Sequence, residues 1–272
     1  MEQRLLPVGI QDFSEVIKNN LVYVDKTELI YRLTHTSGKA FFLSRPRRFG
    51  KSLLCSTLHY YFEGRRELFK GLAIEKLETE WKHYPLFHFD ISTCKGSDVS
   101  AIRANIDFLL KTYENKYQCE AGALGYGTRL QQLITAAFEK TGNQAVLIFD
   151  EYDSVMLSVL NDSEKMQRVR ELFSEFFGPV KFMDKYLRFV FITGITKFSQ
   201  MSIFSTINNL NNISMDEEWK TICGITQSEL EDNFEGNIAA LAEKQGWTHE
   251  QTLAELRANY DGYHFSPALN GL

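Results

Sequence analysis

The chain is short of several things, and each shortage excludes a class of protein. It has 272 residues but only 5 Pro and 17 Gly, too few for a collagen-like or low-complexity chain. No apolar run reaches the ~18 residues a membrane-spanning helix needs. The opening MEQRLLPVGI lacks a long apolar stretch followed by a small-residue cleavage site, so no secretory leader is expected. The four cysteines, Cys55, Cys94, Cys119 and Cys223, are scattered and form no CxxC. That argues against a disulfide framework or a zinc site and fits a reducing cytoplasm, the expected location. Excess positive charge is also missing. Thirty Lys+Arg against thirty-five Asp+Glu leaves −5, so there is no global basic footprint for nucleic acid. The six histidines show no HExxH or paired spacing, and no metal role is assigned to them.

What is present is an ordinary globular balance of 44% hydrophobic and 24% charged residues, enough for one large domain and a small appendage. Four short apolar runs stand out: Ala40 to Ser44, Pro85 to Ile91, Ala145 to Phe149 and Arg188 to Thr193. The first, third and fourth are nearly continuous in apolar character, as in strands buried on both faces of a parallel sheet. Helical spacing fills the connections: a capping-box-like start at Asp25 to Glu28, then Ser52 to Phe62, Val99 to Tyr117, Leu130 to Lys140 and Glu164 to Phe177. Gly122 to Thr128 reads as a linker. After residue 210 no strong strand is visible. Thr226 to Asn233, Asn237 to Gln245 and His249 to Tyr260 read as three helices. The expectation is an α/β core over 1–210, with a mostly parallel sheet flanked by helices, and a small helical, lid-like appendage over 211–272.

Chemistry is concentrated at strand ends. Arg45-Pro46-Arg47-Arg48-Phe49-Gly50-Lys51-Ser52 follows the first strand and opens a helix, the context a phosphate-binding loop requires. Backbone N–H groups at such a helix start point at anionic oxygens. Gly50 allows close approach, Lys51 supplies a point charge to β- and γ-phosphates, and Ser52 offers a hydroxyl to Mg²⁺. The expected ATP-binding stretch is therefore Pro46, Arg47, Arg48, Phe49, Gly50, Lys51, Ser52 and Leu53. Position 45 departs from GxxxxGK[ST], with Arg where the first glycine stands. Arg45, Arg47 and Arg48 could meet phosphate, a neighbouring acid or a nucleic-acid strand. The third strand runs into Asp150-Glu151, which matches a Walker B end. There Asp150 would join Ser52 at the metal and Glu151 would act as general base. Thr193 ends the fourth strand, where ligands of open sheets bind, and could sense the γ-phosphate or orient water. Lys197 could add positive charge nearby. Asp90 and Ser92 read as structural.

These residues resemble a family. Leu6 to Ile10, Tyr23 to Thr27, Arg45 to Ser52, Ile148 to Asp153, Thr193 to Phe198, Cys223 to Thr226 and Tyr260 to Phe265 are similar to stretches of the bacterial and archaeal AAA-ATPase-like proteins. The resemblance spans nearly the whole chain, and members share the missing glycine. It implies a P-loop NTPase core with an extra strand between Walker A and Walker B and strand order 5-1-4-3-2. It also implies an N-terminal segment flanking the adenine. Members often continue into a C-terminal domain resembling PD-(D/E)XK nucleases, which is not expected within this chain. Glu80-Trp81-Lys82 and Glu218-Trp219-Lys220 carry the Glu-x-Lys spacing but lie in polar surroundings. The expected activity is Mg²⁺-dependent ATP hydrolysis that drives or gates a protein partner or a second copy, with no membrane. The alternatives are a nucleotide-gated switch with negligible turnover and a nucleic-acid-stimulated ATPase of a nuclease or defence system.

Overall fold

The computed structural model describes residues 4–96, 98–119, 122, 124–195, 210–263 and 265–266. Among the described residues five strands make one sheet: β1 (Ala40–Ser44), β2 (Leu86–Asp90), β3 (Ala145–Asp150), β4 (Leu187–Gly194) and β5 (Leu210–Asn212). Every pairing is parallel. The order is β2-β3-β4-β1-β5, which counted from the β5 edge reads 5-1-4-3-2. The continuous apolar runs thus fall at the centre. β1 and β3 are buried at every position and β4 at all but Arg188, because neighbours and helices cover both faces.

Side chains alternate across the sheet, so each strand feeds two cores. Phe42, Phe89, Phe149 and Ile192 enter one, beneath α4 (Val99–Tyr117), α5 (Tyr126–Thr141) and α7 (Ser163–Phe177). Phe41, Leu43, Ile148 and Phe191 enter the other, beneath α1 (Phe13–Lys18), α2 (Thr27–Thr34) and α3 (Lys51–Phe62). α6 (Ser154–Ser158) and α8 (Pro179–Phe182) are short turns between these layers' elements. α4 begins where its cap dictates, with Asp98 accepting a hydrogen bond from the Ala101 N–H at 2.9 Å.

Two expectations change after residue 190. A strand does follow: Leu210, Asn211 and Asn212 pair with Ala40, Phe41 and Phe42. It has three residues and two of them are polar, so only its partner β1 makes it a strand. Ile213, Trp219, Ile222 and Cys223 then join the second core, so buried structure runs past residue 210. The two helices expected over 226–245 are one, α9 (Gln227–Gln245). Its start is fixed by a capping box, Thr226 with Glu229, and its end by Gly246 at φ +68°. A single interior glycine, Gly236, costs only about 1 kcal/mol and does not break it. α10 (His249–Tyr260) has the expected bounds and its own capping box, Thr248 with Gln251. α1 had no sequence signal, because six residues are too few to show a period. Among the described residues no helix is long and apolar enough to cross a membrane.

Candidate functional site at the carboxyl edge of the sheet

Parallel strands end together, so Ser44, Asp90, Asp150 and Gly194 share one edge of the sheet. The loop 45–50 leaves β1 there and returns as α3. Two residues in the left-handed region turn it, Arg48 at φ +66° and Gly50 at φ +82°. Gly50 is the N-cap of α3 and has no side chain to satisfy the first-turn N–H groups, so that helix end is open to an acceptor. Pro46, Arg47, Arg48, Phe49 and Gly50 lie on the loop, and Lys51, Ser52 and Leu53 form the first turn of α3.

Lys51 is buried, and its ammonium donates to the carbonyls of Arg45 at 3.1 Å and Pro46 at 3.0 Å. The loop therefore curls around its own lysine. Arg47 and Arg48 are exposed, whereas Arg45 is 1% exposed and donates to the buried carbonyls of Ser214 and Trp219. Of the three arginines read as one basic cluster, the structure removes Arg45. Phe49 packs edge-on against Tyr263, with ring centroids 4.6 Å apart.

Across the sheet edge, Asp150 is the last residue of β3, and the Thr193 hydroxyl donates to its carboxylate. The same hydroxyl accepts the Glu151 N–H at 3.1 Å. Thr193 is fully buried and so fixes both acidic residues at once. It also holds Glu151 at φ +51°, a conformation costing roughly 1–2 kcal/mol for a residue with a Cβ. The chain turns sharply here. The Tyr152 N–H bonds the Thr193 carbonyl at 3.0 Å, and Asp153 accepts the Ile195 N–H at 2.9 Å. A Cβ on Gly194 would stand 2.5 Å from the Tyr152 ring, so only glycine fits beside this turn. Lys197 lies outside the described residues.

Ser52 and Asp150 open onto one polar cavity, whose other walls were not legible in the sequence. It runs along α3 past Ser56 and Tyr60, and Asp12, His88 and Asp90 close its far side. Only Asp90 carried a usable signal, since it ends β2 in register with Asp150. Asp12 caps α1 and accepts from the Tyr60 hydroxyl at 2.9 Å. The His59 and His88 rings meet through their Nδ1 atoms at 3.3 Å. Burial, then the neighbouring His59, pushes His88 down to about 4, and burial also lowers His59 against the pull of Glu63. Both are then neutral at pH 7, so one nitrogen can donate to the other. Among the described residues no set of three His, Cys, Asp or Glu is grouped to hold a metal by itself. Glu80, Lys82, Glu218 and Lys220 sit on no strand.

A parallel sheet flanked by helices, with a GKS helix start and an Asp-Glu strand end at its carboxyl edge, defines a layered α/β protein of the kind that binds ligands at that edge. The chain belongs to the predicted AAA-ATPase family, whose model matches residues 7–204. It is 31% identical over 267 residues to a protein of Azotobacter chroococcum mcd 1 described as an uncharacterized protein in the vnfD 5′ region. That match takes in 98% of this chain and 50% of the relative, so the chain spans about half the relative's length.

Proposed function

We propose that this chain binds ATP with Mg²⁺ at the carboxyl edge of its sheet and hydrolyses it. The observation that carries this is the meeting, on one cavity, of Ser52 at an uncapped helix start beside Lys51 and of Asp150, whose buried carboxylate Thr193 holds. The donor set suits the ligands. A hard cation takes oxygen ligands, and Ser52 and Asp150 offer a hydroxyl and a buried carboxylate. Mg²⁺ would supply charge neutralisation to the phosphate oxygens there.

The residues divide the work. N–H groups at the start of α3 receive phosphate oxygens, as the open helix end favours negative charge. Lys51 turns from the loop carbonyls toward the β- and γ-phosphates, exchanging two neutral acceptors for charged ones. Glu151, next to the metal carboxylate and half-buried, takes the proton of the attacking water. Thr193 orients the Asp150 carboxylate and holds the Glu151 backbone N–H, which is a positioning part. The N-terminal segment lies against this region, since the Phe13 N–H bonds Ser56 at 2.9 Å. That supports its reading as the adenine flank. α9 and α10 form the lid over a core that ends near residue 225, tied to the N-terminal segment through the Lys26–Glu229 ion pair. Output through a partner protein or a second copy would pass through this lid.

The experiment is calorimetric titration with ATP and Mg²⁺, together with turnover measured with and without Mg²⁺, DNA and RNA. Lys51→Ala should weaken binding roughly 10- to 100-fold, the worth of one charge-assisted contact. Parent-like binding by that variant would remove the assignment.

A further inference from the structure

The residue that breaks the usual loop pattern is the one most firmly held. Arg45 replaces the expected glycine, yet the turn is made elsewhere, at Arg48 and Gly50, so position 45 is free to carry a side chain. Its Nη1 donates to the carbonyls of Ser44 at 3.0 Å and Ser214 at 2.7 Å. Its Nη2 donates to Trp219 at 3.1 Å and Lys220 at 3.4 Å. The Phe265 ring covers the guanidinium at 4.1 Å. No carboxylate is among these bonded partners. The charge is met by carbonyl dipoles and a π face, and burial lowers the group only to about 10, so it stays cationic at neutral pH.

The other end of the loop meets the same strap. Phe49 lies edge-on to Tyr263 at 4.6 Å and to Phe265 at 5.5 Å. The Arg45 carbonyl in turn accepts the Lys51 ammonium. Tyr263 and Phe265 stand three and five residues beyond the end of α10, so they tie both ends of the loop to the helical pair through a short stretch of chain. We infer that Arg45 is a positioning residue of the nucleotide loop and that the two strap rings, Tyr263 and Phe265, clamp it, so that seating or lifting them sets nucleotide affinity. This rests on the ATP-binding reading and names a control of that site.

The test compares the parent with Phe265→Ala, Arg45→Lys and Arg45→Ala. Amide exchange across 46–51 is followed without nucleotide, and binding of a non-hydrolysable ATP analogue is measured by calorimetry. Phe265→Ala should keep the parent's circular dichroism, speed exchange at 46–51 about tenfold and weaken analogue binding by about the same factor. Arg45→Lys should not rescue, because an ammonium cannot span four carbonyls as a planar fork does. In the parent, the analogue should slow exchange at Tyr263, Phe265 and Ser266, since coupling between two sites is reciprocal. Parent-like exchange at 46–51 in a folded Phe265→Ala protein would overturn the clamp. A parent that binds no analogue, while Phe265→Ala still loosens 46–51, would defeat the ATP reading and leave the clamp standing.

Discussion

The centre of the sheet and the α9–α10 pair are built on opposite principles. β3 is buried at all six positions, and its side chains are shared between two cores. α9 and α10 are long, yet each buries one residue, Ile238 and Thr252. Their order comes from local devices: two capping boxes, an αL glycine and the Arg257–Asp261 ion pair. The difference separates a rigid platform, which holds chemistry within a fraction of an ångström, from an element that can move without unfolding the rest. Asp150, Glu151 and Thr193 belong to the first. The strap that reaches Arg45 hangs from the second.

The largest effect expected from breaking the platform is on turnover. Glu151→Gln keeps shape but cannot take a proton, so hydrolysis should fall by roughly 10²–10⁴ while Mg-ATP binding persists. Parent-rate turnover in a steady-state assay would remove Glu151 as base. Next comes stability. Phe149→Ala should cost about 3–5 kcal/mol in urea unfolding, because the ring sits among Phe89, Phe176 and Phe177 with no room to collapse. Ile238→Ala on α9 should cost much less, and equal losses would erase the contrast between the two regions.

At the edge of the platform, β2 supplies a pH-dependent effect. His88 is lowered to about 4 in the fold, against about 6.5 in the unfolded chain. Between those values the unfolded state binds the extra proton. Stability is therefore full above about pH 6.5, falls as pH drops, and levels off below about pH 4. The loss is about 3 kcal/mol for this group. Unfolding curves of the parent and His88→Gln should converge as the pH is lowered through that window, and parallel curves would refute it. The smallest effect belongs to the helical pair. Glu229→Gln retains the capping box but loses the charge opposite Lys26, a largely buried pair, 10% and 25% exposed, worth about 1–2 kcal/mol. Exchange should quicken over 227–260 and stay unchanged in β3. A uniform change would show that the pair is part of the platform.

How much of this was written in the sequence depends on range. Strands β1, β3 and β4 were legible because burial on both faces leaves an uninterrupted apolar run. α4 and α10 were legible to the residue because their caps are local. The loop and the Asp-Glu turn were legible because their motifs are contiguous, and the 5-1-4-3-2 order followed from the resemblance. β5 was not legible, since Leu-Asn-Asn becomes a strand only beside β1. Nor, apart from Asp90, was the far wall of the cavity, where Asp12 caps α1 and His88 lies on β2.

The fate of Arg45 shows the limit most clearly. By itself the sequence determined that a basic residue stands where the loop's glycine is expected. Only the tertiary structure decided that its charge faces inward. The acceptors at 214, 219 and 220 and the ring at 265 lie more than 160 residues away, and no local spacing encodes them. Short-range hydrogen bonds and periodic burial are carried by neighbours in the chain. A buried cation is satisfied by whatever the fold brings to it, and that is settled when the sheet closes.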